Sequence, residues 1–437
     1  MLSKQRHSIV LLITVLTGVL LMTGVHSAWA ISPAASFIGA NYEETYGQGK
    51  TIMPVWRKPA DIPAGSQYGT DYAASDKGSV FVLQKGKLTA FEAKSGHVRW
   101  TFGSGLQLPL YNKDGTIYVA SANGYLFAVD ASTGRKRWKS SAPSPGLSSI
   151  TAANGQVLIT NGHIRAYDIS TGKLQWQDNN YWAASGPLTL TENLVLMASV
   201  ESGAYTYDIL RAYDRKTGKK QWEQARHNTP LIANDKAIVV DRTSTMLEQT
   251  KLPTLDTIDP KTGKIIKSVV YNPENLNEDT MEQAFGAKFV LSDGKVFLIA
   301  DTKVYEYPEE ADPAKTKPAI YSLQGSLDYR YAAGPYNGKL LFSNGRGVSA
   351  IKTVNNTTIS FEGITNPTAR FDLLNKGMYL SQTDGYVVAI NLRTAKAEVR
   401  LQTGSRTFGT PLLESGMIIV QAKGQLIAFR EPESLKQ

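Results

Sequence analysis

Four stretches of this chain are close copies of one another. LTAFEAKSGHVRW ends at Trp100, YLFAVDASTGRKRW at Trp138, IRAYDISTGKLQW at Trp176 and LRAYDRKTGKKQW at Trp222. The first three of these tryptophans lie 38 residues apart. A fixed period of that size marks an array of supersecondary units, none of which can bury its apolar face alone. A residue that recurs from unit to unit is then a construction element. Function has to be sought where the units differ.

Each unit reads as four short strands. In the second copy Leu106, Leu108 and Leu110 alternate, Asp114-Gly115 turns, and 116–120 is a β-branched and aromatic run. Asn123-Gly124 turns again, 125–130 forms a third strand, Ser132-Thr133-Gly134 turns, and 136–138 is the fourth. Asn-Gly and Asp-Gly between alternating apolar runs are strong hairpin signals, because both turn residues tolerate positive φ. Four-stranded antiparallel units repeated radially make an all-β protein, a single β-propeller. The apolar lead residue of the third strand appears as Leu88, Leu126, Ile164, Leu210, Leu255, Val304, Val348, Val387 and Leu426, which counts nine blades. Eight is the alternative, since propellers usually have about four to eight blades, and the degenerate unit near Val304 is the one open to miscounting. The last unit lacks a fourth strand, and Pro54-Val55-Trp56-Arg57 is an orphan one. The N-terminal strand near Trp56 is therefore expected to pair with the C-terminal blade and close the ring, which removes exposed edges.

The motif residues have mechanical readings. Asp130, Asp168, Asp214 and Asp259 precede Thr-Gly turns, where a carboxylate accepts backbone N–H bonds. Gly134 and its counterparts supply positive φ. Ala128 and its counterparts mark a crowded mid-strand position. Trp56, Trp100, Trp138, Trp176 and Trp222 fill space between neighbouring sheets.

The first thirty residues stand outside the repeat. Lys4 and Arg6 begin a basic segment, 9–22 is mostly apolar, and Ala28-Trp29-Ala30 offers a small-x-small cleavage site. This is the pattern of a secretory signal peptide, giving 1–30 as signal peptide, 31–52 as N-terminal extension, 53–431 as propeller and 432–437 as a C-terminal tail. With no cysteine near the cleavage site, a lipid anchor is not expected, and no membrane span remains after cleavage. The expected location is extracytoplasmic, secreted or associated with the cell wall. Loss of Lys4 and Arg6 takes the net charge from +9 to +7, which favours anionic neighbours at long range. The basic residues are scattered through Lys-Gly and Thr-Gly-Lys turns rather than clustered, and with export this argues against nucleic acid. The chain has no cysteine, so disulfides, thiol catalysis and thiolate metal sites are excluded. The mature histidines are His97, His163 and His227, too few and too dispersed for a histidine metal site.

The form Leu-x-Ala-[Phe/Tyr]-Asp-x-x-Thr-Gly-x-x-x-Trp resembles the pyrroloquinoline-quinone-like (PQQ-like) β-propeller repeat family, from about Trp56 to Arg430. The likeness is strong in the first five units and weak around 285–323, where 308–318 replaces the turn. Alanine stands for the turn glycine at Thr394-Ala395, and asparagine at Asn355-Asn356. The family contains quinone-dependent dehydrogenases, which need a calcium cradle and an aspartate base, and a non-enzymatic BamB-like and secreted branch. No such set maps residue by residue onto this chain. The resemblance thus implies a non-catalytic scaffold with no cofactor, and a monomer. Its expected partner is an envelope protein or an anionic cell-wall polymer. The alternative is a propeller enzyme, either a PQQ-dependent dehydrogenase or a polysaccharide-cleaving enzyme.

Loops longer than the repeat requires are the expected binding elements. They begin at the fourth unit and comprise 178–182, 201–208, 241–251 and 272–283, joined by 329–331. Tyr181, Trp182, Tyr205, Tyr207, Tyr329, Arg330 and Tyr331 are the candidate contacts, since aromatic rings and arginine anchor interfaces. Trp182 is the one mature tryptophan outside the fourth-strand position. The acidic residues Glu274, Glu278, Asp279 and Glu282 lie in one loop but follow no calcium-loop spacing.

Overall fold

The computed structural model describes residues 48–62, 71–146, 148–180, 184, 186–203, 206–243, 252–276, 287–323 and 328–437. The predicted signal peptide lies outside them. The described strands form nine antiparallel sheets of four strands each, one of which carries a fifth strand. In chain order the blades span 73–102, 106–139, 149–178, 189–225, 232–270, 288–322, 330–360 and 368–402. Blade 9 combines 412–430 with an N-terminal strand. The unit at Val304 is a complete blade, so the count is nine and the eight-bladed alternative falls. First strands of blades 9, 1, 2 and 3 touch one another in turn, which places the first strands innermost and the fourth strands at the rim.

Closure occurs where the orphan strand predicts it. Strand β1 (Lys50–Ile52) and strand β2 (Trp56–Pro59) open the described chain. β2 pairs antiparallel with Gln425–Arg430, Trp56 opposite Ala428. β1 is an addition that the sequence does not announce. It runs parallel to Ala397–Gln402 as a fifth strand on the rim of blade 8. Residues 433–435 form a 3-10 turn whose Leu435 is fully buried against blades 8 and 9.

The apolar core is divided into nine clusters, each made by two adjacent blades and including the pair formed by blades 9 and 1. The repeat motif turns out to be a device for joining them. Each tryptophan pairs across its own blade with the motif alanine, as Trp138 does with Ala128 and Trp176 with Ala166. Its indole N–H then reaches the next blade. Trp56 donates to the carbonyl of Ala93, Trp100 to Ala131, Trp138 to Ile169, Trp176 to Arg215 and Trp222 to Pro260, at 2.8–3.2 Å. The ring lies on the turn glycine of that blade. A Cβ added to Gly96, Gly134, Gly172, Gly218 or Gly263 would meet the preceding blade's tryptophan at 2.3–2.7 Å. The glycine is therefore required twice, for its left-handed φ and for the ring above it.

This coupling accounts for the departures from the motif. Register places Lys267, Ala319, Ile359 and Val399 in the tryptophan position of blades 5 to 8. With no indole arriving from the blade before, the turns of blades 7 and 8 carry Asn356 and Ala395, still at φ 58° and 63°. Between blades 5 and 6 an aromatic cluster takes over. Tyr271 meets Phe289 and Tyr307 edge-on, with ring centroids 5.1 and 5.2 Å apart.

A candidate interaction rim on the middle blades

Strand order gives the disc two unlike faces. One, the turn face, collects the first-to-second and third-to-fourth strand turns. The other, the loop face, collects the second-to-third turns and the connections between blades. Blade 4 rises above its neighbours on the loop face. Its central strands, Leu194–Ser202 and Thr206–Asp214, have nine residues each, against five for Gln156–Thr160 and Ile164–Asp168 of blade 3. Beyond Ala198 opposite Leu210 come Ser199–Ile209, Val200–Asp208, Glu201–Tyr207 and Ser202–Thr206. Four extra pairs carry the hairpin about 13 Å further out.

A buried arginine holds the root of this hairpin. Arg211 is 1% exposed and donates to Ser199 Oγ and to Glu201 Oε1. Its Nε lies 3.4 Å from Glu223 on the fourth strand. Tyr207 donates to the other oxygen of Glu201 at 3.1 Å. Lys220 bonds to Glu223 at 2.8 Å and, as the leading cause, holds that carboxyl below its usual range. A charge this deep is retained where partners neutralise it. Val200, near the tip, remains exposed.

Blade 5 has a second network at the base of its long loop. Asp256 is fully buried. It accepts from Arg242 Nε and Nη2 at 2.6 Å, from Ser268 Oγ at 2.6 Å, and faces His227 Nε2 at 2.8 Å. The other ring nitrogen of His227 lies 2.8 Å from the Ala225 carbonyl. Burial, the largest single influence, pushes the Asp256 carboxyl upward. The bonds from His227, Arg242 and Ser268 together overcome it and hold the group well below the ordinary carboxylate range. A depressed carboxylate contributes stability above its unfolded pKa of about 3.9, and that contribution is lost as pH falls through the folded value. Asp256→Asn is therefore expected to lower the denaturation midpoint at pH 6, and the gap to wild type is expected to narrow at pH 3. Urea titrations at the two values check this.

The structure separates the sequence-predicted contacts. Tyr181, Trp182 and Tyr205 lie outside the described residues. Tyr207 sits on the blade 4 hairpin. Tyr329, Arg330 and Tyr331 belong elsewhere, at the entry to blade 7, and Arg330 pairs with Asp301 at 3.3 Å. Tyr331 packs edge-on against Phe342, its hydroxyl donates to the Gly334 carbonyl, and burial pushes its pKa up to about 12. Tyr329 packs beside it against the core between blades 6 and 7. Of the acidic loop, Glu274 is engaged by Lys303 at 2.5 Å and by the Tyr305 hydroxyl, while Glu278, Asp279 and Glu282 lie outside the described residues. Among the described residues no group of three or more His, Asp or Glu side chains has metal-binding geometry.

The networks of Arg211 and Asp256 were not anticipated. The residue after the lead apolar position is charged in Ile164-Arg165-Ala166, Leu210-Arg211-Ala212 and Leu255-Asp256-Thr257 and is Thr89 and Phe127 in blades 1 and 2, a signal that marks blades 3 to 5 without separating the buried Arg211 and Asp256 from the partly buried Arg165.

The fold and its joining device define a β-propeller of PQQ-like repeats. A family model described as outer membrane protein assembly factor BamB matches residues 84–188 and 181–327. Together these cover more than half of the chain, and the chain belongs to that family. Among solved structures it is similar to BamB from Moraxella catarrhalis, with 14% identity over 86% of this chain and 99% of the other and a TM-score of 0.46. It is similar to the computationally designed Ika8 protein at 12% identity over 87% and 100%, TM-score 0.47. It is also similar to the quinohemoprotein alcohol dehydrogenase ADHIIG of Pseudomonas putida HK5, at 12% identity over 88% and 78%, TM-score 0.43. No curated protein sequence matches the chain significantly.

Proposed function

We propose that this protein is an exported, non-catalytic scaffold that holds an envelope protein against the loop-face rim of its middle blades. The observation that carries this reading is the blade 4 hairpin. It extends four residue pairs past the repeat, and a buried arginine stiffens its root. A propeller blade needs no such extension to close its sheet, and rigid elements that exceed the scaffold's needs are where binding concentrates. The charged side chains at its base are tied to one another in structural pairs, which suits a fixed platform better than proton transfer. Export is supported by the basic-apolar-small order of residues 1–30. Among the described residues no helix is long and apolar enough to cross a membrane.

The test is a variant in which 200–208 is replaced by Asn-Gly, leaving the blade with a tight hairpin. Wild type immobilised on resin is expected to retain a discrete protein from a detergent-solubilised bacterial envelope fraction, and the shortened variant to release it. Equal retention by both removes the hairpin from the reading. Quinone-dependent dye reduction by the protein after loading with quinone and calcium would replace the scaffold with an enzyme.

A further inference from the structure

The turn face carries a feature hidden by the sequence order. Thr-Gly-Lys turns stand at 171–173, 217–219 and 262–264, one each in blades 3 to 5, with Thr-Gly-Arg at 133–135 in blade 2; dispersed in the chain, they emerge side by side on one face of the ring. Arg135, Lys136, Lys173, Lys216, Lys219 and Lys264, from blades 2 to 5, are all exposed there. Asp168 and Asp214, which share these turns, commit an oxygen to the N–H and O–H groups of their own turns. Across blades 2 to 5 the face thus presents more cations than acids, the exposed acids of its first-to-second strand turns being Asp114 and Glu192.

Between blades 3 and 4 this face is indented by a cleft of about 1010 Å³, lined by Lys173, Lys216, Arg215, Glu192, Gln156 and Gln175 among others. Arg215 forms its floor and is 5% exposed. All its donors go to neutral oxygens. Nε donates to Gln156 Oε1 at 2.9 Å, Nη1 to the carbonyls of Thr191 and Glu192 at 3.1 and 3.2 Å, and Nη2 to those of Ala153 and Asn154. Among the described residues no carboxylate hydrogen-bonds to it. A guanidinium stays charged at any physiological pH, so a positive charge lies under the cleft with no carboxylate bonded to it, and Asp235 and Glu192 act on it only through space. The exposed ammonium groups of Lys173 and Lys216 stand at its mouth.

We propose that this cleft binds the phosphate groups of a linear, base-free polyanion, with Lys173 and Lys216 as direct contacts and Arg215 as the fixed field beneath them. Three observations select this ligand. The cleft has no aromatic lining residue, so it offers no stacking platform for nucleobases. It is a recess lined by two blades, which a flexible chain can enter more readily than a plane. Blade 6 also breaks the run of cations with Glu309, Glu310 and Asp312, which share its third-to-fourth strand turn with Lys315 and Lys317. A flat anionic membrane would meet those acids, whereas a polymer following blades 2 to 5 avoids them. The site lies on the face opposite the blade 4 hairpin and does not depend on what that hairpin holds.

The experiment uses the full chain and fluorescently labelled long-chain inorganic polyphosphate, followed by anisotropy at low and moderate salt. Wild type is expected to bind, with affinity falling as salt rises. The Lys173→Glu, Lys216→Glu pair is expected to weaken binding about tenfold or more, and the Lys173→Gln, Lys216→Gln pair less. A control pair on blade 8 of the same face, Arg393→Glu with Lys396→Glu, is expected to stay within about twofold of wild type. The hairpin-shortened variant is expected to bind polyphosphate unchanged. Thermal melting and circular dichroism verify the fold of each variant. Three outcomes overturn the proposal: no binding by wild type at low salt, equal loss in the blade 3–4 and blade 8 pairs, or tighter binding of oligothymidylate than of polyphosphate. A fourth is flotation with phosphatidylglycerol but not phosphatidylcholine vesicles that the blade 8 pair abolishes, since that makes the whole face a membrane plane.

Discussion

Trp56→Ala is expected to cost about 3–5 kcal/mol, the range for removing a large buried aromatic side chain. No other tryptophan has quite its position. Trp56 is 7% exposed, pairs with Ala428 of the last blade, and lies on Gly96 and Phe91 of the first. Its indole donates to the Ala93 carbonyl at 2.8 Å. Losing it removes apolar contact from the joint that makes the molecule a ring, and leaves that carbonyl without its indole donor. The effect is measured as a loss of chemical-denaturation stability, together with faster proteolysis within 48–60. A change below about 1 kcal/mol with unaltered proteolysis would mean that the closing strand is held by its backbone ladder alone.

The second large effect is at a residue without a side chain. Gly218→Ala is expected to destabilise the protein by about 2–4 kcal/mol. About 1 of this comes from placing a Cβ at φ 70°, and the rest from overpacking. The new methyl would lie 2.3 Å from Trp176 Cε3, and Trp176 is wedged between blades 3 and 4. Combining the change with Trp176→Ala separates the two parts. The double variant is expected to fall short of the sum of the singles by the overpacking component, since coupled neighbours are non-additive. Full additivity would show that φ alone requires glycine here.

These two cases mark how far the sequence could be read. Nine lead residues and one orphan tryptophan strand pointed to nine blades and to closure, because a propeller's periodicity is written along the chain, and only the degenerate unit near Val304 left eight open. The partner of each tryptophan was not, because it lies in the following blade and no spacing within one unit expresses that contact. A clue was nevertheless present. Glycine persists at 96, 134, 172, 218 and 263, each after a blade with tryptophan, and gives way at Asn356 and Ala395 after blades without one. The candidate site was legible as a region and not as residues. The long hairpin around Tyr207 stands where excess length predicted a projection. Tyr331 is instead partly buried against the core between blades 6 and 7, because an aromatic in a connecting stretch reads the same whether its ring faces solvent or the neighbouring blade. Lys173 and Lys216 looked scattered for the converse reason, since residues one blade apart in sequence become neighbours only when the ring forms.

The way blade 9 is assembled also fixes how the molecule meets mechanical load. β2 enters beside the point where the final strand leaves, with Trp56 opposite Ala428 and Pro59 opposite Gln425. Tension drawing the two chain ends apart therefore acts on the ladder from one end, and antiparallel bonds lying perpendicular to the strands open one after another, as in a zipper. Outward pressure on the ring loads the same bonds together. The parallel strand β1, anchored at Lys50–Ile52 on blade 8, stands ahead of that weak end in the path of any pull from the N-terminal side. It gives a clasp that opens easily by peeling a catch that must slip first.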